Sequence, residues 1–302
     1  MSGLGALPVE DRHLGTALGR PVAALAVHAQ LAPVAWAFAQ AAPGARLGYI
    51  QTTGGTLRPG DSRSVRVLRE CRMLAGEIAI GEASAEQREV ISTVGALDHG
   101  LIALGWDAVV CGPGPGAVGS GTPLGHIGLS ALDAAHAALA LGCPALLVPL
   151  MSDAEEGRSG RGISGHTLTV LDLLLAPVTV ALPAGVRSPV GAELRAGLGA
   201  VFGGASRQRA APELQVERPA RITRHDWRRA AIDLPGYAAS TLPRATPERD
   251  LLGEPLFFAA ALAAGVVLAQ LAHPADARAL AGSAREHGSR AGAQRGEAKL
   301  GA

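Results

Sequence analysis

Short apolar runs of strand length alternate with helix-length segments six times between Pro21 and Phe202, and this alternation constrains the chain more than any motif. The runs are Pro21 to Val27, Arg46 to Gln51, Glu77 to Gly81, Ala108 to Cys111, Cys143 to Leu150 and Val178 to Leu182. Their interiors are continuously apolar rather than alternating, as strands covered on both faces are. The helices between them are expected at 32–41, from Asp61 or Ser62 to Leu74, from Ser84 to Leu104, at 124–141, at 166–175 and at 189–202. Strand-helix repetition of this kind predicts an α/β fold: an open, mostly parallel sheet of about six strands with helices on both faces. Eight units would be needed for a closed barrel.

After Gly203 the pattern changes. Residues 204–250 are rich in Arg and Pro and read as an irregular arm, with Leu214 to Ile222 as an edge strand and Trp227 and Tyr237 as anchors. An apolar helix at 254–272 is expected to pack back on the core. Its run from Leu256 to Leu268 falls short of the ~20 residues a bilayer requires. The domain plan is a remnant or linker at 1–20, a Rossmann-like α/β domain at 21–203, arm and packing helix at 204–274, and a disordered tail at 275–302.

The net charge of +1 argues against a nucleic-acid-coating protein. Lys299 is the single lysine and asparagine is absent, a codon bias that reads as a GC-rich bacterial genome. Three scattered cysteines (Cys71, Cys111, Cys143) provide neither a disulfide framework nor a CxxC metal site. Residues 1–20 lack a signal pattern, so the expected compartment is the cytoplasm.

Ligands in open parallel sheets sit outside the carboxyl ends of the strands. Five strand exits in this chain are polar: His28 and Gln30; Thr52, Thr53 and Gly54 onward to Thr56; Gly112 to His126; Ser152 and Asp153; and Arg158 to His166. The third holds a glycine-rich loop expected to open a helix at Pro123. There Gly114, Gly116 and Gly119 allow close approach of a ligand, and Ser120 and Thr122 supply hydroxyls at a helix start that favours an anion. The loop is formally GxGxxG, yet it follows the fourth strand and lacks an acidic residue at the ribose spacing, so it is a weak nicotinamide signal. Gly-Lys-Ser/Thr and GxSxG are absent.

The catalytic candidates are His28, directly after a strand, His126, about one turn inside the expected helix, and His166. Arg161 and Ser164 are further ligand-binding candidates, Ser164 being equally an N-cap. The stretch from Met151 to Gly165 reads as a lid. Asp133 and His136 share a helix face without a third ligand, which is a poor metal site. The cofactor is unknown from sequence.

Several of these segments resemble a known family. His28-Ala-Gln-Leu-Ala-Pro, Thr52-Thr-Gly-Gly, the loop Gly112-Pro-Gly-Pro-Gly-Ala-Val-Gly-Ser-Gly-Thr-Pro-Leu-Gly, and Arg161-Gly-Ile-Ser-Gly-His166 look like the bacterial family numbered 3866 among domains of unknown function. The resemblance runs over about residues 20 to 205 and implies no reaction. It does imply a β-rich segment before the first strand, so a truncated or mis-started N-terminus is the expectation. It also implies a Ser-His-His motif where this chain has Ser164-Gly165-His166, a departure that would impair the copy if that histidine is a ligand or base.

The first functional expectation is a cytoplasmic hydrolase or group transferase that binds a small anionic metabolite or nucleotide at the glycine loop, away from membranes. The alternative is a non-catalytic ligand-sensing module, or a homodimer formed through the arm and the apolar helix. The position of the histidines separates the two: two of them together over the loop favour catalysis, and divergent faces favour a binder.

Overall fold

The computed structural model describes residues 17–57, 60–81, 88–116, 119, 122, 124–152, 162–184, 220–245 and 250–273. Ser120, Arg161, most of the expected lid, the helix at 189–202 and the tail at 275–302 lie outside the described residues.

Within the described residues the chain builds β1 (Val22–Leu25), α1 (Leu31–Ala41), β2 (Leu47–Thr52), α2 (Arg63–Glu70), β3 (Gly76–Ile80), β4 (Arg88–Val90), α3 (Thr93–Asp98), β5 (Ala108–Pro113), α4 (Ser130–Ala140), β6 (Ala145–Val148), β7 (Met151–Ser152), β8 (Gly162–Ile163), α5 (Gly165–Leu173), β9 (Thr179–Pro183), β10 (Asp226–Ala230), α6 (Leu234–Ala239) and α7 (Pro255–Ala272). Eight of these strands form one sheet, in the order β10-β9-β6-β1-β5-β2-β3-β4, with each neighbouring pair parallel. The α/β expectation holds, and the sheet is wider than the six strands read from sequence.

Both additional strands lie at the edges. At one end, Arg88–Val90 pairs with β3 where a helix from Ser84 was expected. The helix begins only at Thr93, where the Ser92 hydroxyl accepts the Gly95 N–H at 3.1 Å. At the other end, Asp226–Ala230 pairs with β9; of the edge strand expected at 214–222, residues 214–219 lie outside the described residues and 220–222 are helical. So the described part of the arm extends the sheet. Edge strands are short and carry polar residues, so local sequence marks them weakly.

Side chains alternate between two cores. Ala23, Leu25, Leu47 and Tyr49 point to the face covered by α1, α2 and α7. Val22, Ala24, Ile50 and Cys111 point to the face covered by α3, α4 and α5. On the second face the fully buried Trp106 lies flat on β2, where a Cβ at Gly48 would come within 1.8 Å of its ring. On the first face α7 packs against α1 so closely that a Cβ at Gly265 would stand 2.3 Å from the Val34 carbonyl oxygen. Trp36, Tyr237, Phe258 and Phe257 form an aromatic cluster there, edge-to-face at Trp36–Tyr237 (centroids 5.7 Å apart) and at Phe257–Phe258 and tilted at Tyr237–Phe258. By length and composition α7 could cross a membrane, with mean hydropathy 2.0, but 67% of it is buried inside the protein, as in a core helix.

From β1 the chain passes over the first face to β2; from β5 it passes over the second face to β6. Because β1 and β5 are neighbours, their carboxyl ends open a crevice between them.

Candidate functional site

His28 lies three residues past the end of β1 and leans toward the first face. Its Nε2 lies 2.7 Å from the Ser62 Oγ, and its Nδ1 lies 3.2 Å from both the Pro113 carbonyl and the Tyr49 hydroxyl. A carbonyl only accepts, so Nδ1 carries the proton and Nε2 accepts the Ser62 O–H. Tyr49 in turn donates to Pro113 O at 3.0 Å. The network joins the exits of β1 and β5 to the first turn of α2. Burial lowers the His28 pKa to about 4, against a smaller opposing pull from the Pro113 carbonyl.

Gln30, fully buried, is structural. Its Oε1 accepts the N–H groups of Ala26 and Val27, and its Nε2 donates to Pro149 O at 3.0 Å. That ties the exit of β1 to the exit of β6.

The exits of β2 and β5 pack on each other through glycine. Gly54 has φ +104°, and a Cβ there would lie 2.1 Å from Ile127 Cδ1. Gly55 lies on the Gly114 backbone, Gly114 faces the Gln51 amide, and Gly116 (φ +88°) faces Thr56. The Thr56 N–H donates to Pro115 O at 2.9 Å. Gly114 and Gly116 therefore pack against the chain's own β2 exit. Thr53 and Gly54 are exposed, whereas Thr52 is 7% exposed and its Oγ1 has no hydrogen-bond partner.

The glycine loop does not lead straight into a helix at Pro123. It doubles back, so that Gly119 and His126 form an antiparallel bridge. Thr122 sits exposed in a turn closed by Gly125 N–H to Thr122 O at 3.2 Å. A 3-10 turn follows at Ile127–Leu129, and α4 starts at Ser130 with Leu129 as its N-cap. Thr122 thus stands well before the helix it was expected to cap. The physical reason is that the glycines allow the chain to reverse before any helical turn is committed.

His126 precedes the 3-10 turn rather than lying one turn inside a helix. A Cβ at Gly128 would lie 2.9 Å from its Nδ1 and 3.5 Å from the Ala26 methyl, so its ring borders the exit of β1. His166, second residue of α5, stacks on it with centroids 4.0 Å apart and planes 18° from parallel. His126 is 8% exposed and His166 half-buried. Stacked rings keep their in-plane lone pairs in two separate, near-parallel planes, so in this arrangement they do not converge on one metal ion. Among the described residues no group of three or more His, Cys, Asp or Glu could hold a metal. Asp133 and His136 make no such site, since His136 Nε2 accepts the Leu175 N–H at 3.1 Å.

Ser164 is the N-cap of α5. It is buried, and its hydroxyl accepts the Thr167 N–H at 3.2 Å. Thr167 Oγ1 accepts the Leu150 N–H at 2.9 Å and locks this helix start to the exit of β6. Gly165, where the resembled motif has a histidine, is buried beside it. The pairing of Met151 with Ile163 and of Ser152 with Gly162 closes the base of the 153–161 segment.

The match to a family model extends over residues 11–265. The chain belongs to the family described as Protein of unknown function (DUF3866). No curated protein and no solved structure matches it. In this DUF3866 chain, the described residues of the four segments that carry the resemblance all lie at one edge of the sheet. His126 and His166 come together on the second face, and His28 sits on the first. Sequence reasoning missed Ser62 and Tyr49 as partners of His28; a serine before a helix signals a cap and nothing more.

Proposed function

We propose that the protein is a cytoplasmic α/β enzyme of the hydrolase or group-transfer type, acting on a small anionic metabolite or nucleotide at the crevice between β1 and β5. The observation that carries this reading is the stacked His126–His166 pair, delivered by two separate crossovers to the exit of β1. A histidine beside a strand exit is placed for acid–base work, and the stacked partner holds the ring plane. His166, the more exposed ring, takes the acid–base role and His126 positions it. His166 stands in the first turn of α5, where backbone N–H groups and the helix dipole favour an anion. Thr53 and Gly54 line the β2 side, with the unpartnered Thr52 hydroxyl behind them.

The test is a thermal-shift panel of phosphates, nucleotides, carboxylic acids and divalent metals. A ligand at a hundred times its Kd adds about 2.7 kcal/mol. The expected result is a clear shift with an anion that His166→Ala removes. No shift with any compound, or an undiminished shift in the variant, overturns the reading.

The placement of His28 away from the pair favours a second reading, a non-catalytic ligand-sensing or homo-oligomeric module. Incubation with the shifting ligand, followed by NMR for product, separates the two.

A further inference from the structure

We propose that Ser62 and His28 form a nucleophile–base dyad for acyl transfer. The proposal rests on the catalytic reading of the carboxyl edge and adds a covalent step at a different pair of residues. An N-cap serine needs only to accept from the helix, as Ser62 does from the Val65 N–H at 3.2 Å. Capping leaves its own proton uncommitted. Here it is aimed at His28 Nε2, 2.7 Å away. The ring is held by its other nitrogen against the Pro113 carbonyl and the Tyr49 hydroxyl, which sets the tautomer that a general base requires. Nucleophile, base and orienting acceptor thus come from three different elements, and the hydroxyl sits at the positive end of α2. Burial keeps His28 neutral at neutral pH, so the Nε2 lone pair faces the Ser62 hydroxyl.

The chemistry balances as follows. Ser62 Oγ attacks the carbonyl carbon of a small ester or thioester while its proton moves to His28 Nε2. The bond to the leaving alcohol or thiol breaks, and that group takes the proton from His28. Water then attacks the acyl-serine, giving its proton to His28, and the carboxylic acid departs as Ser62 recovers its hydrogen. Ser62 is 2% exposed, so the substrate class is a small acyl group rather than a peptide or polymer.

The test uses the full chain with diisopropyl fluorophosphate, read by intact mass and peptide mapping. The expected result is one adduct, on Ser62, with fluoride released. His28→Gln is expected to slow labelling about a hundredfold or more. Ser62→Asn keeps a cap acceptor and a donor toward His28; it is expected to stay folded and unlabelled. Absence of an adduct, an adduct on another residue, or equal labelling in His28→Gln overturns the dyad. Labelling is measured without any anionic ligand, so its failure is distinct from failure of the anion-dependent thermal shift.

Discussion

Lowering the pH through the mildly acidic range should cost this protein stability through His28, by an amount its surroundings determine. The ring is neutral in the folded state, with a pKa of about 4, while an unfolded chain has the ordinary 6.5. Between those values the unfolded state binds more protons, so stability falls as pH falls. At 1.36 kcal/mol per pH unit the full gap amounts to about 3.4 kcal/mol. Going from pH 8 to pH 5 alone removes about 2 kcal/mol, and the loss levels off below about pH 4. The structural event is specific: protonated Nε2 no longer accepts the Ser62 O–H, and a charge is placed where burial opposes it. Urea unfolding of the wild type and of His28→Gln at pH 8 and pH 5 isolates this contribution. The wild type is expected to lose about 2 kcal/mol more than the variant. Equal losses would refute the reasoning. His225 also titrates low because it is buried, with its Nδ1 accepting the Val178 N–H, and it adds a background slope in the same direction to both proteins.

Two other perturbations test the packing. Gly265→Val pushes a branched side chain into the Val34 carbonyl and the Ala37 methyl, so about 3 kcal/mol of destabilisation is expected; an unchanged Tm would mean α7 does not cross α1 there. Gln30→Leu leaves the Ala26 and Val27 N–H groups buried without their acceptor and should lower stability by about 3 kcal/mol; an unchanged denaturation midpoint would show that the β1–β6 tie is carried elsewhere.

Much of the architecture was legible in the chain. Ser62 marks the start of α2 and Ser164 the start of α5, because capping is a local hydrogen bond between neighbours in sequence. The runs 22–25, 47–52, 108–113 and 145–148 announce buried parallel strands, because a strand covered on both faces has no polar side. β4 was misread because a three-residue edge strand leaves little apolar signal, and its pairing with β3 is a contact between segments. In the candidate site the polar exits were visible, but their partners were not. His28 and Ser62 are 34 residues apart, and nothing near either predicts their bond. The glycine loop looked like a cradle opening a helix, yet Gly114 and Gly116 are occupied by Gln51 and Thr56 across the strand pair.

The sequence by itself determined the fold class, the capped helix starts at Ser62 and Ser164, and the edge of the sheet that carries polar residues, since each follows from periodicity, capping and the direction of parallel strands. Only the tertiary structure decided the order of the strands, the crevice between β1 and β5, and the partition of three histidines into a locked one and a stacked pair. The crossovers choose which loops meet, and a crossover leaves no local trace of its destination.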